Sequence, residues 1–153
     1  MEKILSFRVN HDILERGIYV SRIDGDVITY DIRMKKPNSG DYLANAAMHT
    51  TEHLFATFVR NSAFGGEVIY FGPMGCRTGF YLLLRDSVSR ENVLKLVNEA
   101  FAFIASFSGE IPGNSKIECG NYLEHDLQGA KAEAEAMLPV VKELTVADMD
   151  YKE

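Results

Sequence analysis

Polar and apolar residues alternate through the first part of the chain in the manner of strands, whereas longer apolar-rich runs beyond residue 42 have the character of helices. Ser6-Phe7-Arg8-Val9 predicts a short strand, and Gly17 to Ile23 and Val27 to Met34 flank Asp24-Gly25-Asp26 as the arms of a hairpin. The breaker cluster Lys35-Lys36-Pro37-Asn38-Ser39-Gly40-Asp41 closes this β-rich opening. Tyr42 to about Ser62 contains no Gly or Pro and is rich in Ala, Leu and Phe, which predicts a helix ended by Gly65-Gly66. Glu67 to Phe71 and Gly79 to Arg85 read as strands around the turn Gly72-Pro73-Met74-Gly75-Cys76. A second helix is predicted from a Ser87 or Ser89 cap to about Phe107, with Val93, Leu94, Leu96, Val97, Ala100, Phe101 and Ile104 as its core-facing stripe. A loop with Pro112, Gly113 and Cys119-Gly120 then leads to a third helix from about Asp126, which Pro139 should kink or end. No repeat, linker or low-complexity tract divides residues 1–153. The pattern predicts one α+β domain, an α/β sandwich with an antiparallel sheet packed against helices.

The chain has 153 residues, of which 46% are apolar, enough for one continuous core. A formal net charge of -6 argues against nucleic acid or an anionic membrane surface as partner, because both select clustered Lys and Arg, and points to a small solute or a protein. The first dozen residues carry Glu2, Arg8 and Asp12 and hold no apolar run of a secretion signal, nor does any later run approach the ~20 residues of a membrane helix. A soluble, cytoplasmic protein is the expectation. In a reducing compartment the only two cysteines, Cys76 and Cys119, are expected as free thiols rather than as a disulfide.

The candidate chemistry lies on the first long helix, at His49-Thr50-Thr51-Glu52-His53. Residues four apart on a helix stand one above the other, so two imidazoles can share one ion, and Glu52 projects near the same face as a proton-handling group. The order H-x-x-E-H is also that of inverted zinc peptidases, and two solvated or core histidines would show the same spacing. Cys119, just before a helix, offers a softer third ligand; two imidazoles and one thiolate leave a tetrahedral position open, as at catalytic rather than structural sites. Cys76 sits in a glycine-rich turn that suits a reactive thiol, although a lone Cys also serves as a small core hydrophobe. Arg77 next to it would point to the opposite face if Cys76 already lies on the strand.

Taken together, His49-Thr50-Thr51-Glu52-His53-Leu54, Gly72-Pro73-Met74-Gly75-Cys76-Arg77-Thr78-Gly79-Phe80-Tyr81 and Cys119-Gly120 followed by His125-Asp126-Leu127 resemble the signature of the LuxS family, the S-ribosylhomocysteine lyases. Ser6-Phe7 with His11, and Asp31-Ile32-Arg33, extend the resemblance over most of the chain, from Ser6 to about Lys131. It implies a metal-dependent carbon–sulfur lyase of the methyl cycle that splits S-ribosylhomocysteine into L-homocysteine and 4,5-dihydroxy-2,3-pentanedione, the autoinducer-2 precursor of quorum sensing. His49, His53 and Cys119 are implied as metal ligands, Glu52 and Cys76 as the acid–base pair, and Ser6, His11, Arg33 and Arg60 as substrate contacts, some from the neighbouring subunit of a homodimer. The implied ion is one divalent metal per subunit, Fe(II), with Zn or Co able to substitute. The chain departs from the family at Tyr70-Phe71-Gly72, where Asp-Ile-Ser is common, and at Asn10, where Asp is frequent. His125, near a helix start, is expected to be structural.

The expected chemistry moves the sugar's carbonyl from C1 to C2 and then C3, with the metal as Lewis acid, before β-elimination of the thioether at C5. Two other readings of the same residues stay open at this stage. One is a zinc hydrolase with Glu52 as general base and no use for Cys76; the other is a metal-storing or metal-sensing protein without chemistry.

Overall fold

A computed structural model describes residues 1–153. β1 (Gly17–Asp24) and β2 (Val27–Arg33) form the expected hairpin, with Gly25 in the left-handed region at φ 60°. β3 (Val68–Pro73) and β4 (Gly79–Arg85) form the second one. All neighbouring strands are antiparallel, in the order β1-β2-β4-β3, and Tyr30 is opposite Leu82 and Ile32 opposite Phe80. The predicted strand at Ser6 to Val9 does not form. Leu5–Phe7 is a single 3₁₀ turn instead, with Phe7 70% exposed, because the segment finds no sheet edge to pair with and its alternation has no buried face to serve.

Three helices cover one face of the sheet. α1 (Asn45–Arg60) begins later than the sequence suggests, at Ala44, which supplies no side-chain cap. α2 (Arg90–Ala105) is capped by Ser89, whose hydroxyl accepts from Asn92 N at 3.2 Å, and its predicted stripe is buried in full. α3 (Leu127–Lys142) is capped by Asp126, which accepts from Gly129 N at 2.9 Å. Pro139 does not end α3. It lies on the exposed side, where the backbone carbonyl that it deprives of a partner remains open to water.

Period-two alternation on the strands decides what each face carries. Ile28, Tyr30, Ile32, Phe80, Leu82 and Leu84 point into the core shared with the helices. Phe55 of α1 stacks on Phe71 of β3 at 4.1 Å and meets Phe101 of α2 edge-on at 5.5 Å, tying the three layers together. Full burial of one such ring stabilises the fold by about 1.5–3 kcal/mol. The alternate positions Tyr19, Asp31, Arg33 and Tyr81 lie on the other face. There the chain's end folds back, stacking Tyr151 on Tyr19 at 5.0 Å. No helix is long and apolar enough to cross a membrane.

Candidate metal centre

α1 places His49 and His53 one turn apart, and the loop between α2 and α3 carries Cys119 to them. The ligand atoms of His49, His53, Cys119 and His125 lie within 4.8 Å of one another. Cys119 Sγ is 3.4 Å from His49 Nε2 and 3.8 Å from His53 Nε2. Each imidazole is fixed from behind by a backbone carbonyl: His49 Nδ1 donates to Glu124 O at 2.7 Å and His53 Nδ1 to Pro112 O at 2.8 Å. A carbonyl can only accept, so both protons sit on Nδ1 and both Nε2 lone pairs face the thiol. Gly113, at φ 72°, makes the second of these contacts possible, since a Cβ there would press on the His53 ring at 3.3 Å. Two bare imidazole nitrogens and one sulfur converging from rigid supports fit a divalent ion of borderline softness.

His125 joins the cluster without sharing that chemistry. Thr50, fully buried one residue after His49, accepts from Asp126 N at 2.8 Å and lies 2.9 Å from His125 Nδ1. His125 Nε2 is buried and has no hydrogen-bond partner. Burial, then repulsion from His49 and His53, holds His125 down to about 4, so it stays neutral. Its ring stacks on His49 at 3.9 Å, and the expected role is support of that ligand rather than ligation. His125→Gln should therefore retain one metal per chain by elemental analysis. Loss of metal from that variant, with the fold intact by circular dichroism, would make His125 a ligand.

Glu52 is not among the clustered ligand atoms; it lines an adjoining cleft of about 370 Å³ together with His53, Arg60, Tyr70 and Phe71. Arg60 is anchored by donating to Val68 O at 3.4 Å and Ile69 O at 3.1 Å, the second being a carbonyl at the register shift between Val68 and Tyr70. Tyr70 lies over Gly72, where any Cβ would collide with its ring, so the position of this tyrosine requires glycine there.

The remaining candidates gather elsewhere. Cys76 is exposed and its thiol is free, as is that of Cys119. Its sulfur contacts Thr78 Oγ1 at 3.0 Å and takes no part in the His–Cys cluster. Arg77, at φ 59°, turns its guanidinium to Leu43 O at 3.3 Å and over the Tyr42 ring, leaving Cys76 to others. Arg33 is 3% exposed and donates to Thr78 Oγ1 at 2.7 Å and to Asp31 Oδ2 at 2.6 Å. Ser6 edges a groove with Ser21, Thr29 and Tyr81, and His11 Nδ1 meets Val9 O at 2.8 Å. Sequence reasoning missed Thr50, Thr78 and Gly113. The first two are polar residues inside the quoted motifs that are buried, a property their positions in the motif did not disclose.

Comparison with known proteins finds relatives along nearly the whole chain. The family model described as S-Ribosylhomocysteinase (LuxS) matches residues 4–147. A Desulfotalea psychrophila protein named S-ribosylhomocysteine lyase is 51% identical over 139 residues, covering 88% of this chain and 87% of its own. Proteins of the same name from Clostridium acetobutylicum and Phocaeicola vulgatus are 44% and 46% identical, the first over the full length of both chains and the second over 99% of this chain and 97% of its own.

Proposed function

The chain belongs to the S-ribosylhomocysteinase (LuxS) family and is thereby a carbon–sulfur lyase; from that premise we propose that it cleaves S-ribosylhomocysteine to L-homocysteine and 4,5-dihydroxy-2,3-pentanedione, the precursor of autoinducer-2. The observation that carries this reading is the convergence of His49 Nε2, His53 Nε2 and Cys119 Sγ beside a cleft that Glu52 enters without being a ligand. A divalent ion held by those three atoms would supply Lewis acidity toward the oxygens of the opened sugar. The donor set accepts Fe(II), Zn(II) or Co(II), and Fe(II) is the proposed resident ion.

The protein's own groups move the protons. In the first shift a base takes the proton from C2 and a proton is returned to C1, so the carbonyl passes to C2; a second shift from C3 to C2 brings it to C3. Removal of the C4 proton then expels the sulfur from C5, the electron pair leaving on homocysteine. Glu52 and Cys76 fill these roles in turn, and two groups are needed because the proton donors and acceptors stand on different sides of a planar intermediate. Arg60, with two donors fixed on backbone carbonyls, keeps the rest of its guanidinium free for a substrate carboxylate. Ser6, His11 and Arg33 are proposed as further contacts, on the evidence of the family motif.

A homodimer is the proposed working unit. Cys76 and Arg33 meet through Thr78 and are not part of the metal cluster, and the segment carrying Ser6 and His11 exposes Ile4, Leu5, Phe7 and Ile13, a surface suited to a second copy. The free thiols and the absence of a membrane-crossing helix agree with a cytoplasmic setting. Anaerobic incubation with S-ribosylhomocysteine tests the reaction. One homocysteine by thiol titration and one pentanedione by diamine trapping should appear per substrate consumed. A folded, metal-loaded protein that forms neither would refute it.

A further inference from the structure

The outer face of the sheet holds a row of four hydrogen bonds that ends on Cys76. Tyr151 Oη donates to Asp31 Oδ2 at 2.6 Å, and Arg33 Nη2 donates to the same oxygen at 2.6 Å. Arg33 Nη1 donates to Thr78 Oγ1 at 2.7 Å, and Thr78 Oγ1 lies 3.0 Å from Cys76 Sγ. Asp31, Arg33 and Thr78 are 0%, 3% and 2% exposed, so water does not compete for the contacts among these three, and the row reaches solvent at Cys76. Asp31 Oδ1 and Arg33 Nε have no partner, which leaves the pairing to run wholly through Oδ2 and the two Nη atoms.

The proton inventory gives the row a direction. Arg33 has only protons to give, so Thr78 receives at its oxygen and keeps its own proton free for the sulfur. Once Cys76 has released its proton, Thr78 is the only one of the two that can donate. At the far end, burial and then the Asp31 carboxylate push the Tyr151 phenol well above its ordinary range, so it stays a donor. Burial disfavours the Arg33 charge, and Asp31, with smaller contributions from Cys76 and Tyr151, more than offsets this. The titratable groups coupled to the Asp31–Arg33 pair are Tyr19 from β1, Tyr81 from β4 and Tyr151 from the tail, while Arg77 points away to Leu43.

We propose that Thr78 is a positioning residue for the lyase reaction, which aims Cys76 and passes to it the hydrogen-bonding power of an Arg33 anchored by Asp31 and Tyr151. A buried charged pair of this kind is weak as a source of stability, which is consistent with its being retained for the site it supports. The proposal rests on the acid–base reading of Cys76. Thr78 holds the backbone through its carbonyl, which accepts from Met34 N at 2.8 Å and Lys35 N at 3.0 Å, so the side chain can be changed with that tie intact.

The test is the rate at which iodoacetamide alkylates Cys76 in the full-length, metal-loaded protein at neutral pH, read by mass spectrometry. Thr78→Val should slow alkylation about tenfold or more, with kcat falling in parallel, and Thr78→Ser should restore both to within about twofold. Thr78→Ala gives the same reading if the valine variant does not fold. Alkylation at the wild-type rate in the folded valine or alanine variant would overturn the relay. Slowed alkylation together with full turnover by Cys76→Ala would leave the relay standing and overturn the acid–base reading of Cys76.

Discussion

Glu52→Gln lowers turnover by about 10²–10⁴-fold while one metal per chain remains bound. The amide keeps the shape and hydrogen-bonding reach of the carboxylate but can no longer take up a proton. Glu52 lines the cleft beside His53 and is not one of the clustered ligand atoms, so the loss falls on proton transfer alone. Turnover numbers and metal content measured on one preparation check the result. Wild-type turnover would remove Glu52 from the mechanism, and a protein that only stores or senses a metal would likewise be indifferent to the change. Loss of the metal would instead make Glu52 a ligand.

Cys119→Ala should weaken metal binding by more than about 100-fold and abolish turnover. Loss of outer-sphere partners alone costs about 10–100-fold, and this variant removes a ligand itself. The two histidines keep their orientation, because Glu124 O and Pro112 O still hold their Nδ1 protons. Two imidazoles without the thiolate leave the ion with too few protein donors to survive dialysis. Elemental analysis after exhaustive dialysis decides the matter. Full retention of metal would mean that His125, whose ligand atom lies in the same cluster, replaces the sulfur.

Much of this molecule is legible in the residue pattern because its elements are locally consistent. The stripe from Val93 to Ile104 on α2 is buried in full, and Ser89 and Asp126 cap the helices that follow them. Ser6 to Val9 misleads because four alternating residues specify a strand only when a neighbouring strand accepts them. Pro139 misleads because its effect depends on which side of the helix it occupies. At the site, the spacing of His49 and His53 anticipates a shared ion, since helix geometry alone sets it. What the spacing could not disclose is long-range: Glu124 O and Pro112 O behind the imidazoles, Thr50 behind His125, and Arg33 reaching Cys76 through Thr78, a contact between residues 45 positions apart in the chain. The separation of Cys76 from the metal ligands is a property of the sheet's two faces, which no local motif encodes.

Running the reaction in deuterium oxide separates carbonyl migration and β-elimination from hydrolysis. Elimination from C4 and C5 leaves an enol that takes a solvent proton at C5 as it becomes the methyl group of the pentanedione. Carbon-bound deuterium should therefore appear in that methyl group for each homocysteine released, seen by nuclear magnetic resonance of the trapped product. Homocysteine released together with intact ribose free of carbon-bound deuterium would mean hydrolysis of the carbon–sulfur bond, and would contradict carbonyl migration and β-elimination at this site.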